Sequence, residues 1–265
     1  MSPCFLRSIT PVRRGSPLDA SWSDFSKTTR ISLIGAVEPT SECMPPNEKI
    51  TASTRLGFIG LGYLGSRIVR RLIAAGFPVI VYDRDHTKAV EFSALAAGVA
   101  PDIAKLARDV DVVLSCLPDA LAVKDVYFGT GKVLGTSGRF STIIELSTVA
   151  PETARKLHEA GAGLKISVLD VAISGSTLAA ESGTLSLFGG GEAQVFEAAE
   201  PIFRAIAAQW FHMGPGGSGV AVKLVVNTLL GLGMQAIAEA VALGEGLSLP
   251  REREFSVSLH DSARA

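Results

Sequence analysis

The sequence has few cysteines and no recognisable metal-binding pattern. Cys4, Cys43 and Cys116 are odd in number and far apart, so they indicate neither a disulfide framework nor metal-ligand spacing and fit a reducing compartment. The histidines are scattered and no HExxH motif is present, which argues against a zinc site. We therefore expect no bound metal.

The sequence also lacks an excess of charge. Lys and Arg number 25, whereas Asp and Glu number 26. This balance gives no electrostatic reason to expect nucleic acid or an anionic membrane as a partner. No internal repeat of about 20 to 50 residues is evident, so a solenoid or propeller is not indicated.

Residues 1–54 differ from the rest of the chain because they are rich in Ser, Pro and Arg and show no sustained period. We expect a poorly ordered N-terminal extension there. Arg7, Arg13 and Arg14 precede the first acidic residue, Asp19, a pattern similar to that of an organelle transit peptide. The sequence therefore predicts a cytoplasmic protein or, if this segment is a transit peptide, a protein of the mitochondrial matrix.

From Leu56 onward, short apolar runs alternate with segments of helical spacing. The predicted strands span 56–60, 78–82, 111–116, 142–146, 165–173 and 184–188, and the predicted helices span 64–75, 87–97, 101–107 and 151–160. Strands alternating with helices favour parallel pairing. We therefore predict a Rossmann-type doubly wound α/β sheet, forming a dinucleotide-binding domain over residues 55–217.

Residues 220–247 are predicted to form one helix about 42 Å long, which connects to an incomplete all-α domain within residues 218–265. The segment carries Lys223, Asn227, Gln235, Glu239 and Glu245. These residues favour a helix buried in protein over one that crosses a membrane. Its apolar residues surround the helix, so we expect the chain to form a homodimer through it or to aggregate.

Gly60, Gly62 and Gly65 form a GxGxxG motif between a predicted strand and a predicted helix. Gly60 permits a tight turn, Gly62 lets a pyrophosphate approach the backbone, and Gly65 lets the helix pack closely on the strand. The N-terminus of that helix offers free N–H groups to phosphates. The motif and its context predict a dinucleotide site, and a glycine-rich turn without a ligand is the alternative.

Asp83 and Arg84 follow the second predicted strand and leave the choice of cofactor open. The Asp83 carboxylate can accept hydrogen bonds from the adenosine ribose and would repel a 2′-phosphate. The Arg84 guanidinium can bind such a phosphate or can simply be a solvated surface charge. We expect NAD or NADP and favour NAD.

Lys223 is the strongest catalytic candidate. It lies in the apolar segment GVAVKLVVNTLLG, and Asn227 projects from the same helix face four residues later. A lysine among apolar neighbours can have its pKa lowered enough to transfer protons near neutral pH. The alternative is a lysine whose stem packs while its ammonium reaches water.

Three loops place polar groups after predicted strands, at the usual ligand edge of such sheets. They contain Leu117-Pro118, Ser147-Thr148 and Ser174-Gly175-Ser176. Their hydroxyl and backbone N–H groups suit a carboxylate-bearing substrate or the amide of a nicotinamide. Each loop also fits ordinary turn chemistry, whereas Cys116 is expected to be a buried and unreactive strand residue.

Five segments, taken in order, resemble the β-hydroxyacid dehydrogenases, a family that includes 3-hydroxyisobutyrate dehydrogenase and several semialdehyde reductases. They are GFIGLGYLGSRIVRRLIAAGFPVIVYDRD, VVLSCLP, ELSTVAPETARKL, LDVAISGSTLAAESGTLSLFGGG and GPGGSGVAVKLVVN. The resemblance implies an NAD(P)-dependent oxidoreductase of a small β-hydroxyacid or its semialdehyde, with a lysine as general acid and base and no metal.

The resemblance also implies roles for individual residues. Gly60, Gly62 and Gly65 would hold the pyrophosphate, and Leu117 and Thr148 would touch the cofactor. Ser174 and Gly175 would bind the substrate. From their place in the same loops, we also assign Pro118 to cofactor binding and Ser176 to substrate binding. Lys223 would be the catalytic lysine, with Asn227 as its partner on the helix.

Several features depart from the pattern of the family. Ser176 replaces a glycine, which is closer to the semialdehyde reductases, and Val226-Asn227 retains half of an asparagine pair. The helical C-terminal domain that completes the substrate pocket in the family is nearly absent. The alternative is therefore a non-catalytic dinucleotide-binding or interaction protein. A third possibility is imine or 6-phosphogluconate chemistry on the same scaffold, although no run of Lys or Arg surrounds the substrate loop to suit a sugar phosphate.

Overall fold

The computed structural model describes residues 50–95 and 98–249. Within these residues the helices and strands follow in this order: β1 (Leu56–Ile59), α1 (Tyr63–Ala74), β2 (Val79–Tyr82), α2 (His86–Val90), a 3₁₀ turn (Ser93–Leu95), β3 (Gly98–Val99), α3 (Ile103–Asp109), β4 (Val112–Ser115), α4 (Ala120–Tyr127), β5 (Thr142–Glu145), α5 (Pro151–Gly163), β6 (Ser167–Ser174), α6 (Thr177–Ser182), β7 (Leu185–Gly191), α7 (Ala193–Ala198), α8 (Glu200–Ile206), β8 (Ala207–Gly214) and α9 (Ser218–Gly246).

The strands form one sheet in the order β3-β2-β1-β4-β5-β6-β7-β8. Every neighbouring pair is parallel except β6 and β7, which are antiparallel. The connection between β6 and β7 contains the short helix α6, and it is shorter than the dozen or so residues that a parallel crossover needs. The predicted Rossmann-type sheet is confirmed, with this one reversal that the sequence analysis missed.

The central strands β1 and β4 are buried at every position, and Ser115 is the one polar residue in them, as expected for strands that are covered on both faces of a parallel sheet. Neighbouring residues alternate between two cores. Phe58 and Leu114 pack into one core, whereas Ile59 and Val113 pack into the other. The first core also contains residues of α1, α7 and α8, and the second contains residues of α3, α4 and α5.

The six predicted strands are confirmed within a few residues. The predicted helix at 87–97 is wrong in extent: α2 ends at Val90 and a separate 3₁₀ turn follows. The N–H of Phe92 bonds to the carbonyl of Ala89, three residues back, and the ring of Phe92 is buried. Residues 96 and 97 lie outside the described residues. Helices α4, α6, α7 and α8 and strands β3 and β8 were not predicted.

Helix α9 begins at Ser218 and continues for 29 residues, as one helix was predicted to do. Its buried residues are Gly219, Val220, Lys223 and Gly244. The rest of the described chain leaves most of this helix exposed, so its burial in protein stays a prediction. The large apolar side chains exposed along it are Leu224, Val225, Leu229, Leu230, Leu232, Met234, Ile237 and Leu243. By length and composition alone, α9 is long and apolar enough to cross a membrane. Of its most apolar stretch of 18 residues, 11% is buried.

The predicted extension at residues 1–54 lies almost wholly outside the described residues, as do residues 250–265 of the predicted all-α domain. Within the last part of the predicted extension, Ile50 is buried and its N–H donates to the carbonyl of Ala198. The proposed division at residues 54/55 and 217/218 stays a prediction.

Candidate dinucleotide and substrate site

The residues predicted to bind a ligand follow the carboxyl ends of five parallel strands. Gly60 follows β1, Asp83 follows β2, Leu117 follows β4, Thr148 follows β5, and Ser174 ends β6. Because β2, β1, β4, β5 and β6 are mutually parallel, these positions lie along one edge of the sheet. This edge is where ligands bind in open α/β sheets.

The glycine loop requires glycine at two positions and is open at the third. Gly60 has a φ of 98°, and a Cβ there would overlap the carbonyl oxygen of Cys116. A Cβ at Gly65 would overlap the carbonyl oxygen of Gly60. No atom lies within 4 Å of the Cβ position of Gly62. Gly62 also caps α1 without a side-chain acceptor, so the loop fits a pyrophosphate that approaches the first N–H groups of the helix.

Asp83 is tied to the glycine loop. Its Oδ2 accepts a hydrogen bond of 2.7 Å from the N–H of Leu61, and its Oδ1 accepts one of 2.9 Å from the N–H of Asp85. Each carboxylate oxygen has a second lone pair, so the ribose role predicted for Asp83 is compatible with these bonds. Arg84 is exposed beside it. The contact between Asp83 and the loop was not predicted from the sequence.

A buried hydrogen-bond network joins the loops that follow β4 and β5. The N–H of Leu117 donates to Ser147 Oγ over 2.7 Å, and the N–H of Ser147 donates to Glu145 Oε1 over 2.8 Å. The hydroxyl of Ser115 donates to Glu145 Oε2 and lies 2.5 Å from the hydroxyl of Tyr127. The network therefore fixes two loops that were predicted to lie against the cofactor.

Burial dominates the protonation chemistry of this network. It raises the pKa of Glu145, although hydrogen bonds from Ser115, Ser147 and Tyr127 oppose the shift. It also raises the pKa of Tyr127 well above its ordinary value. Burial and the nearby Glu145 raise the pKa of Cys116 to about 12, which keeps this thiol protonated and unreactive.

Pro118 and Thr148 are exposed next to this network, where a ligand can reach them. Sequence reasoning missed Glu145, Ser115 and Tyr127 as members of the site. The available signal was a carboxylate inside the apolar run TIIEL, because a buried carboxylate needs hydrogen-bond donors around it.

The loop of Ser174, Gly175 and Ser176 joins β6 to α6. Gly175 has a φ of 140°, a backbone conformation that favours glycine. Ser176 caps α6, because its Oγ accepts a hydrogen bond from the N–H of Ala179. Gly175 and Ser176 are exposed. The serine that replaces a family glycine therefore has a local structural role in addition to the binding role predicted for it.

Lys223 lies in the second turn of α9, in the part of the helix that is buried. The residue is 9% exposed, and burial lowers the pKa of Lys223. No acidic partner of Lys223 is found among residues 50–95 and 98–249. Asn227, one turn later, is exposed. Lys223 is therefore buried and Asn227 is exposed, although the two residues were predicted to act together.

Asp170, in β6, contacts the beginning of α9 and was missed by sequence reasoning. Its Oδ1 accepts hydrogen bonds of 2.8 Å from the N–H of Gly217 and from His158 Nε2, and its Oδ2 accepts one of 3.1 Å from the N–H of Val220. The signal was again a single carboxylate in an apolar strand, SVLDVAIS. Among the residues that the structure describes, no group of three or more His, Cys, Asp or Glu could hold a metal ion.

Comparisons with known proteins agree with this geometry. The sequence profile of the NAD binding domain of 6-phosphogluconate dehydrogenase matches residues 55–214. The NAD-dependent L-serine dehydrogenase of Pseudomonas aeruginosa is 35% identical over 190 residues, which cover 72% of this chain and 64% of that protein. The cytokine-like nuclear factor N-PAC of Anopheles gambiae is 30% identical over 249 residues, which cover 94% of this chain and 44% of that protein.

A solved structure of Mycobacterium tuberculosis 3-hydroxyisobutyrate dehydrogenase with L-serine matches with a TM-score of 0.72 at 30% identity, over 77% of this chain and 69% of that chain. The chain spans less than two thirds of the length of the two sequence relatives above. The profile nonetheless covers most of the chain, and the fold and the glycine loop are those that the resemblance predicted. The chain therefore belongs to the β-hydroxyacid dehydrogenase family.

Proposed function

We propose that the chain binds NAD or NADP along the carboxyl edge of its sheet and transfers a hydride between that cofactor and a small β-hydroxyacid or the matching semialdehyde. One observation carries the proposal. The open glycine loop follows β1 at the carboxyl edge of the sheet, and helix α9, which packs on β6 and β7 of the same sheet, carries a buried lysine whose pKa is lowered by burial. The first feature suits a dinucleotide, and the second suits a proton-transfer group.

A bound nicotinamide would supply the group that accepts or donates the hydride. We assign the accompanying proton to Lys223. In the oxidation direction, its neutral amine would take the proton of the substrate hydroxyl, and in the reduction direction its ammonium would return that proton to the carbonyl oxygen. Because burial lowers the pKa of Lys223, the neutral amine forms at a lower pH than it does for an exposed lysine.

The substrate is proposed to be a small carboxylate. Gly175 and Ser176 are exposed at the carboxyl end of β6, where their N–H and hydroxyl groups can face a carboxylate. L-serine and 3-hydroxyisobutyrate are the first compounds to test, because relatives of this chain are named for them or contain them. We assign Asn227 to hold the substrate beside Lys223.

For the cofactor we favour NAD over NADP. The carboxylate of Asp83 adjoins the glycine loop, where it would repel the 2′-phosphate of NADP and accept hydrogen bonds from the ribose of NAD. Arg84 is the group that would favour NADP if its guanidinium turned toward that phosphate.

A second candidate function is dinucleotide binding without turnover. The observation that favours it is the match of 94% of this chain to a protein that is named as a nuclear factor. In this alternative the glycine loop would keep its role, whereas Lys223 would pack without transferring protons.

The test is to titrate the purified chain with NADH and NADPH by fluorescence and then to assay L-serine, 3-hydroxyisobutyrate and small semialdehydes. Saturable NADH binding with turnover of at least one of these compounds is the expected result. Binding without turnover would favour the second candidate, and the absence of binding to either cofactor would overturn both.

We also infer that the protein is cytoplasmic, with the mitochondrial matrix as the alternative, and that it forms a homodimer through α9 without entering a membrane. Cell fractionation followed by N-terminal sequencing of the mature chain tests the location. Removal of the arginine-rich segment in a mitochondrial fraction would support the alternative.

A further inference from the structure

Helix α9 begins without a cap of its own. Its N-cap residue is Gly217, which has a φ of 88° and no side chain to accept a hydrogen bond from the first N–H groups. Such groups need partners from elsewhere when they are buried. The buried partner in this structure comes from a different element, strand β6.

Asp170 supplies that partner. Its carboxylate, 1% exposed, accepts the N–H groups of Gly217 and Val220 with its two oxygens. A carboxylate at this place also interacts favourably with the positive end of the helix dipole. His158, in α5, donates to the same Oδ1 that accepts from Gly217, so it fixes the orientation of the carboxylate.

The beginning of α9 is in close contact with two strands of the sheet. A Cβ at Gly219 would overlap the carbonyl oxygens of Asp170 and Phe188. A Cβ at Gly190, in β7, would come within 2.6 Å of Asp170 Oδ1. The helix backbone therefore lies directly on β6 and β7, and the position of its first turn is determined to within a small displacement.

Lys223 follows Val220 by three residues, or nearly one helical turn. Beyond Lys223 the helix is almost entirely exposed, so the described contacts of α9 are concentrated at its beginning. Any displacement of the first turn therefore moves the lysine, and no later packing within the described residues corrects it.

We propose that Asp170 is a positioning residue that holds Lys223 at the reacting atoms through the first turn of α9, and that His158 orients Asp170. The inference rests on the proposed role of Lys223 in proton transfer. It adds that the position of Lys223, in helix α9, depends on a carboxylate in strand β6.

The principal variant is Asp170→Asn, which keeps the shape of the side chain but presents one acceptor oxygen where the carboxylate presents two. The control is Asp111→Asn, which removes a buried carboxylate bound by Arg55 and Arg139 at the opposite edge of the sheet. Both variants remove one buried negative charge. Only the first touches α9.

Trace acetylation followed by mass spectrometry measures the reactivity of Lys223 in the full chain without requiring turnover. In Asp170→Asn we expect the labelling rate of Lys223 to rise by about fivefold or more, because the loss of a helix cap makes opening of the first turn more frequent. In Asp111→Asn the rate should equal that of the parent. A parental rate in folded Asp170→Asn would overturn the proposal.

Kinetics provide the second readout. Asp170→Asn should lower kcat by about tenfold or more while the KM for the cofactor stays near that of the parent, because a misplaced acid–base group impairs the chemical step and not cofactor binding. Equal losses of kcat in Asp170→Asn and Asp111→Asn would indicate that Asp170 has only a general structural role, and would overturn the proposal.

If Asp170→Asn does not fold, His158→Ala decides the question, because it leaves the carboxylate in place and removes the donor that orients it. It should raise the labelling rate of Lys223 and lower kcat, each by a smaller factor than Asp170→Asn would. Parental values of both would overturn the proposal. If the parent shows no turnover with any substrate, the proposed function fails, while the labelling of Lys223 still tests the positioning by Asp170.

Discussion

Helices α1 and α9 both begin at the candidate site, yet their apolar residues differ in burial. In α1 the residues Ile68, Val69 and Leu72 are completely buried. In α9, Leu229 is 73% exposed and Leu232 is 66% exposed. The difference lies in the arrangement of the residues: the apolar residues of α1 share one face, whereas those of α9 surround the helix.

The contrast separates the two halves of the site. The half proposed to bind the cofactor is made by the sheet, whose faces are covered by the chain's own helices. The half proposed to act on the substrate depends on a helix that is largely exposed beyond Lys223. We therefore expect cofactor binding to need only the sheet and the helices that cover it, and turnover of the substrate to depend on what packs against α9.

The sharpest test of this separation is Lys223→Ala. We expect turnover to fall by about 10² or more with little change in cofactor affinity, because the substitution removes the proton-transfer group and leaves the glycine loop intact. Steady-state kinetics and NADH titration measure the two quantities. Lys105→Ala, at an exposed position of α3, is the matched control and should retain parental turnover; comparable activity in Lys223→Ala would refute the assignment.

The second test addresses the exposed surface of α9. The double substitution Leu229→Gln and Leu232→Gln should weaken self-association by about tenfold or more, because it removes two large apolar side chains from the proposed interface. Sedimentation equilibrium measures the effect. Leu121→Gln removes a side chain that is 72% exposed on α4 and should leave association unchanged.

A parent chain that is monomeric at all concentrations would contradict the proposed pairing. Flotation with lipid vesicles distinguishes the remaining alternative, since a helix that enters lipid would carry the parent chain to the lipid fraction, and the double variant would do so less well.

The third test addresses the cofactor half alone. Asp83→Asn should shift the preference between the two cofactors by about tenfold toward NADP, because it removes a negative charge that opposes the 2′-phosphate. The ratio of NADH to NADPH dissociation constants measures the shift. Asp102→Asn, at the cap of α3, removes the same charge elsewhere and should keep the parental ratio. A parent that prefers NADPH by tenfold would show that Arg84, and not Asp83, determines the cofactor preference.

The smallest expected effect concerns Glu145. Its pKa is raised in the folded protein, so its protonated form favours folding, and this contribution is present at low pH and lost as the pH rises through the folded pKa. Glu145→Gln keeps the shape of the side chain and cannot ionise. The stability of the parent relative to this variant should therefore decline as the pH rises, whereas Glu159→Gln, an exposed substitution, should track the parent.

Urea unfolding at several pH values measures this difference. A parent whose stability relative to Glu145→Gln is independent of pH would contradict the assigned direction of the shift. A changed slope of the unfolding curve in Glu145→Gln would instead indicate that the substitution alters the structure of the folded or the unfolded state.

Much of the cofactor half was accessible from the sequence because its signals are local. The glycine spacing at Gly60, Gly62 and Gly65 and the alternation of strands and helices are visible within short windows. Helix α4 was missed although Asp119 is a good cap, with its carboxylate accepting from the N–H of Ala122. The helix is short, and short apolar segments carry too little periodicity to identify.

The residues that support the site could not be placed from the sequence. Asp170 and Glu145 were recognisable as unusual carboxylates in apolar strands, but their partners lie far along the chain: Val220 is 50 residues from Asp170, and Ser115 is 30 residues from Glu145. The reversal at β7 was missed for a different reason: the strand pattern does not give the direction of pairing, and the short connection between β6 and β7, which excludes a parallel crossover, was overlooked. Sequence reasoning therefore identified loops and missed the contacts that fix them.

The contact between Asp170 and the beginning of α9 also has a consequence for the order in which the chain folds. Gly217 and Val220 are joined to Asp170 across 47 and 50 residues, and β7 and β8 lie in that interval. The first turn of α9 can thus gain its cap only after this segment has closed into the sheet, and loop closure of this length is slow compared with helix propagation. On a growing polypeptide, Lys223 would be among the last groups of the site to reach its final position.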